Sequence, residues 1–119
     1  MARLINIDTH SDDRGSLCVI EKNLPFDIRR VYYMFDVTSK RGGHRHKKTI
    51  QALIALNGSC EVFIENENEK KTFVLASKTK CLILDPEDWH TMDNFSDGTI
   101  LLVLSSEFYD KNDYIEEGY

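Results

Sequence analysis

The segment Arg41-Gly42-Gly43-His44-Arg45-His46-Lys47 carries most of the chemistry that this chain could perform. On an extended strand, residues two apart project to the same side. His44 and His46 would therefore enter one space while Arg45 faces away. An imidazole with an ordinary pKa near ~6.5 can give or take a proton at neutral pH, and it is also a common metal ligand. The bland alternative is a solvated basic loop, because Lys40 to Lys48 is strongly cationic. Four residues separate His46 from Gln51, and six separate Gln51 from Gly58. Downstream, Trp89-His90-Thr91-Met92-Asp93-Asn94 supplies a third imidazole. Arg14, Arg29, Arg30, Arg41 and Lys47 all fall in the first half, whereas most acidic residues load the second. One pocket could thus receive a cationic wall suited to an anionic small molecule.

The elements that must position these groups are short strands and turns. Runs rich in β-branched, aromatic and aliphatic residues cover 17–21, 28–35, 50–56, 60–65, 71–75, 81–84 and 99–105. Turn signals separate them: Asn23-Leu24-Pro25, Gly42-Gly43, Asn57-Gly58, Asn66 to Glu69, Asp85-Pro86 and Ser96-Asp97-Gly98. This spacing predicts an all-β sandwich or barrel in one domain spanning 1–119. Asn57-Gly58 is expected to close a hairpin, since both residues tolerate positive φ. A helical turn is allowed only around 107–113. The alternating segment 4–8 predicts one more strand, which would leave an exposed edge unless it is paired.

Composition narrows the function classes. A chain of 119 residues with 41% hydrophobic and 29% charged residues fits a single globular domain and neither a disordered nor a membrane class. No apolar run approaches the ~20 residues of a membrane helix, and the N-terminus lacks the apolar core of a secretion signal. Cys18, Cys60 and Cys81 are odd in number without a Cys-x-x-Cys pair, which predicts reduced, buried thiols in the cytoplasm. The net charge of −5 argues against a nucleic-acid partner.

The order Gly-rich turn, His-x-His, Gln51, Gly58, then His90 and Asn94, resembles the two motifs of the cupins, small jelly-roll barrels built as a double-stranded β-helix. Metal-dependent cupins bind through two His and a Glu of the first motif and a His of the second. Here Gln51 stands at the Glu position, and an amide is a poorer ligand than a carboxylate. Metal binding by His44, His46 and His90 stays open, with proton transfer as the preferred use. The runs Asp13-Arg14-Gly15-Ser16-Leu17, Pro25 to Tyr33, Arg41 to Lys47, Trp89-His90-Thr91-Met92 and Tyr109 to Ile115 narrow the likeness. Together they resemble the dTDP-sugar 3,4-ketoisomerases, which are related to the 3,5-epimerases. Arg45 departs from the small residue usual in that family.

The resemblance implies an isomerase acting on a dTDP-linked 4-keto-6-deoxyhexose in deoxysugar biosynthesis for surface polysaccharide, without metal or cofactor. It also implies a homodimer, with the N-terminal strand as a candidate for exchange between the two copies. It makes His46 the principal base and His44 its partner. Arg41 and Arg14 are expected at the diphosphate; Arg30, Tyr32, Lys47, Gln51, Trp89 and His90 are expected around the substrate. Tyr33 should face away from Tyr32. The remaining alternatives are a 3,5-epimerase, a metal-dependent cupin oxygenase and a non-catalytic nucleotide-sugar sensor.

Overall fold

A computed structural model describes residues 1–119, and its strands assemble in two opposed five-stranded sheets. In chain order the strands are β1 (Arg3–Asn6), β2 (Asp8–Asp12), β3 (Gly15–Val19), β4 (Arg30–Met34), β5 (Arg41–His46) and β6 (Gln51–Asn57). Then come β7 (Cys60–Glu65), β8 (Lys70–Leu75), β9 (Lys80–Leu84), β10 (Trp89–Asp93), β11 (Ile100–Ser105) and, after a 3-10 turn at Lys111–Asp113, β12 (Tyr114–Ile115). The first sheet has the order β1-β9-β6-β11-β4 and the second β12-β5-β10-β7-β8, while β2 and β3 form a separate hairpin. No helix is long and apolar enough to cross a membrane.

Two apolar clusters explain this layering. Leu53, Ala55, Val62, Ile64, Leu82, Leu84, Leu101 and Val103 fill the space between the sheets. Ala52, Ile54, Cys81, Ile83 and Leu104 form a second cluster with Ile7, packed against Ile20, Leu24 and Phe26. Strand β6 is therefore buried at every position from Gln51 to Ala55, which explains its continuous apolar run. Each fully buried leucine there contributes about 2 kcal/mol or more through removal from water.

The Asn57-Gly58 expectation is corrected by this arrangement. Strand β6 pairs with β9 and β11, whereas β7 pairs with β8 and β10, so the turn carries the chain from one sheet to the other. Gly58 does take positive φ, at 69°, and an added Cβ would collide with the Thr99 hydroxyl. The dipeptide correctly marked a tight corner, but pairing was decided by burial of β6 on both faces. Of the segment at 4–8, residues 4–6 lie in β1, which runs antiparallel to β9 of the same chain, and Asp8 begins β2. Strand β2 was missed because all five of its residues are exposed and carry no apolar period.

Candidate active site

The apolar filling gives way to polar groups at one end of the inter-sheet space. On the first sheet, register places Gln51 beside Ser105 and Ser105 beside Arg30. Across from them, His90 pairs with His44, and His46 pairs with Tyr114. The Gly-Gly turn shapes this end locally. Register between β10 and β5 slips from His90↔His44 to Thr91↔Gly42, which leaves Gly43 as an unpaired extra residue. Gly42 and Gly43 have φ of 90° and 87°, and a Cβ on Gly42 would come 2.8 Å from the His90 carbonyl oxygen. Side chains larger than hydrogen would thus force β5 away from β10 where the histidines meet.

The strand periodicity acts as expected. The rings of His44 and His46 are 5.1 Å apart between centroids, and those of His44 and His90 are 5.0 Å apart. Arg45 points to the opposite face, where its Nε donates to the Glu117 carbonyl. His46 and His90 are buried, and His44 is half-buried. Burial lowers the pKa of all three imidazoles, to about 4 for His44, where the facing His46 adds to the effect, and to about 3 for His90. For His46 burial is partly countered by the Asp113 carboxylate, and the net direction is still down. All three are neutral at neutral pH.

Their tautomers are set by their partners. Asp113 lies 3.0 Å from His46 Nδ1 and also accepts from the Thr49 hydroxyl and the Lys48 N–H. Burial of that carboxyl is outweighed by those hydrogen bonds, so its pKa falls and it stays ionised. His46 Nδ1 must then donate, which leaves Nε2 as the free lone pair. That Nε2 has neither solvent nor a hydrogen-bond partner. The rings of His44 and Tyr114, the latter at 4.6 Å, pack against this imidazole. His90 Nδ1 is 2.9 Å from the Asp88 carbonyl and donates to it, so its Nε2 is likewise unprotonated.

The first sheet supplies the opposite wall. Arg30 lies 4.4 Å over the Tyr32 ring and 5.3 Å over that of Tyr109, and its Nη1 reaches the Tyr114 hydroxyl at 3.5 Å. Gln51 donates from Nε2 to the Tyr32 hydroxyl at 3.2 Å and to Ser105 at 3.4 Å. Burial, reinforced by Tyr114, raises the Tyr32 pKa and keeps that phenol protonated. Tyr33 is on the other face, 62% exposed. Arg41 is exposed at the start of β5, near enough for its charge to act on Tyr32. It enters none of the ion pairs, whose basic partners are the N-terminal amine, Arg3, Arg14, Arg29, Lys40, His46 and Lys70.

Three expected site residues do not join this group within the chain. Arg14 stands on the β2–β3 hairpin with its guanidinium paired to Asp12 at 2.6 Å. Lys47 is exposed and lies just beyond the end of β5. Trp89 precedes His90 on β10 and so occupies the outer face, where it packs on Phe63 and donates to the Glu116 carbonyl. Alternation along β10 thus separates Trp89 from the histidines within this chain. Asp113 and Tyr114 were missed as site residues: 67 positions separate Asp113 from His46, and only pairing of β12 with β5 brings them together. Their one sequence signal is the closing Asp-Tyr-Ile, which is part of the family likeness.

Comparison with known proteins matches this architecture. The TDP-4-oxo-6-deoxy-alpha-D-glucose-3,4-oxoisomerase of Aneurinibacillus thermoaerophilus is 44% identical over 119 residues, covering 97% of this chain and 86% of its own. The sugar 3,4-ketoisomerase QdtA of Thermoanaerobacterium thermosaccharolyticum, solved in complex with TDP, superposes with a TM-score of 0.93 at 41% identity, over 98% of this chain and 88% of that one. A 3,4-ketoisomerase from Helicobacter canadensis gives 0.92 at 39%, over 98% and 90%. The dTDP-4-dehydrorhamnose 3,5-epimerase of Bacillus anthracis shares the fold, with a TM-score of 0.79 at 16% identity over 95% and 76%. Residues 1–119 match the family described as WxcM-like, C-terminal, and the chain belongs to that family.

Proposed function

We propose that the protein is a 3,4-ketoisomerase of dTDP-4-keto-6-deoxyglucose. The 3,4-ketoisomerase relatives carry that activity in their names, and QdtA has also been solved with TDP-4-keto-6-deoxyglucose. The reaction removes a proton from carbon 3, passes through an enediolate, and returns a proton to carbon 4, while a hydroxyl proton moves from oxygen 3 to oxygen 4. Oxidation state only shifts within the sugar, so the chemistry needs proton carriers and oxyanion donors rather than a redox partner.

The observation that carries the reading is the pair of neutral imidazoles with one backed by a carboxylate. Access divides their work differently from the expectation that His46 is the principal base. His46 Nε2 is sealed from solvent, whereas His44 is half-buried and touches His46, His90 and Tyr114. We assign His44 to the sugar carbons and the His46–Asp113 dyad to the position behind it, where it accepts or supplies the proton that His44 exchanges. The low basicity of His44 reduces driving force for proton removal, and donors on the developing oxyanion offset that loss. Arg30, Tyr32 and Tyr114 offer such donors. Arg41, unpaired beside the Gly-Gly turn, is suited to a two-pronged grip on the diphosphate.

Tyr114 gives the epimerase alternative its one structural support, because a tyrosine beside a histidine is what that reaction also uses. An NMR time course with dTDP-4-keto-6-deoxyglucose in deuterium oxide separates the two. Isomerisation moves the ketone to carbon 3 and places deuterium at carbon 4; epimerisation leaves the ketone at carbon 4 and exchanges carbons 3 and 5.

Assembly is read as a homodimer. Val31 and Tyr33 on the edge strand β4, and Phe35 just past its end, expose 57%, 62% and 62% of their surface, a run that a second copy would cover. Sedimentation at micromolar concentration giving only monomer would exclude this. The three unpaired cysteines are consistent with action in the cytoplasm, although only Cys60 and Cys81 are buried as expected and Cys18 is exposed.

A further inference from the structure

Residues 116–119 lie as a strap across the outer face of the second sheet, opposite the histidines. Four contacts hold it. Arg45 Nε donates to the Glu117 carbonyl at 3.0 Å, and its guanidinium sits 4.9 Å over the Tyr119 ring. Trp89 Nε1 donates to the Glu116 carbonyl at 3.0 Å, and the Tyr119 hydroxyl donates to the Glu87 carbonyl at 2.8 Å. Gly118 rests against the indole.

The strap continues directly from β12, which has only two paired residues, Tyr114↔His46 and Ile115↔Arg45. A two-residue strand has little stability of its own. Asp113 is fastened independently by Thr49, Lys48 and His46. Tyr114 has no buried ionic partner: its ring meets His44 at a tilt and His46 edge-on, both at 4.6 Å, and Tyr109 at 5.8 Å, its N–H donates to the Lys111 carbonyl, and its hydroxyl has one long contact to Arg30. The position of Tyr114 therefore depends on the anchorage of residues 116–119.

We infer that Arg45 is a positioning residue: by clamping the strap at Glu117 and Tyr119, it keeps Tyr114 closed over His46 and excludes water from Nε2. Arg45 and His46 are adjacent on β5 and point to opposite faces, so one strand carries both the clamp and the imidazole it protects. The clamp's catalytic consequence rests on the ketoisomerase reading; its effect on His46 does not.

The test uses the full chain and two variants, Arg45→Ala and Tyr119→Ala, each checked for folding by circular dichroism. Trp89 is the only tryptophan, so its emission reports strap docking without labelling. Imidazole NMR without substrate tracks His46, which is faced by His44, His90, Asp113, Tyr114 and Arg30. Since burial is the main cause of its lowered pKa, entry of water should move the His46 titration upward. The expected results are a red shift of Trp89 emission, that upward move, and turnover reduced about 10-fold with KM little changed. Arg45→Lys, which keeps a cation over Tyr119, should restore part of each effect. Unchanged Trp89 emission in both variants would overturn the clamp. A red shift with an unmoved His46 titration would overturn its link to Tyr114. If the wild type fails to isomerise the sugar, the ketoisomerase reading falls and the NMR result still decides the clamp. Tyr119→Ala decides the matter should Arg45→Ala not fold.

Discussion

His46 and Asp113 meet through a 3.0 Å contact between Nδ1 and Oδ2, with side chains only 3% and 5% exposed. A buried carboxylate at that position fixes the imidazole tautomer and opposes the loss of basicity that burial causes. Asp113 is itself kept ionised by Thr49 and the Lys48 N–H, so the dyad is supported from behind on both sides.

The two imidazoles should separate in mutants. His44→Asn removes the ring assigned to the sugar and should lower turnover ~10²–10⁴-fold or more, with dTDP binding nearly intact. His46→Asn should lower it less steeply, since it removes the group behind. Stopped assays with calorimetric dTDP binding check both. A folded, dTDP-binding His44→Asn variant with near-normal turnover would return the role of base to His46.

Lowered imidazole pKa values set a pH window for activity and stability. With His44 at about 4, His90 at about 3 and His46 held by burial below its ordinary value, the acid limb of kcat should lie below the ~6.5 of a free imidazole. For stability, an unfolded imidazole binds its proton near pH ~6.5 while the folded ones resist it, so the unfolded state holds more protons below that value. Melting temperature should accordingly fall as pH drops from 6.5 toward 4. A melting temperature flat across that range would mean that the three imidazoles charge normally in the folded protein.

Charge alone should not satisfy the diphosphate. Arg41→Lys keeps the cation but loses the planar fork, and should weaken dTDP binding by about 10-fold while leaving the fold unaltered. Equal affinity of variant and wild type in calorimetry would remove Arg41 from the site.

Gln51 predicts indifference to chelators. Its amide nitrogen is already committed to the Tyr32 hydroxyl and Ser105, and the neutral amide replaces the carboxylate that metallocupins present. Prolonged treatment with EDTA should leave turnover unchanged. Loss of activity restored by one equivalent of a divalent metal would show that His44, His46 and His90 act as ligands.

What the sequence by itself determined was local. The two-residue period of a strand placed His44 and His46 on one side and Arg45 on the other, and set Tyr32 against Tyr33. Motif order and the closing Asp-Tyr-Ile were enough to name the family. Pairing between distant segments was decided only by the tertiary structure. Burial of β6 on both faces turned the Asn57-Gly58 corner into a crossing between sheets, and alternation past His90 sent Trp89 to the outside. The two-residue strand β12 delivered Asp113 and Tyr114 to His46. Such contacts depend on which strands share an edge, and that choice is made by the summed burial of both sheets, to which no short stretch of sequence holds the answer.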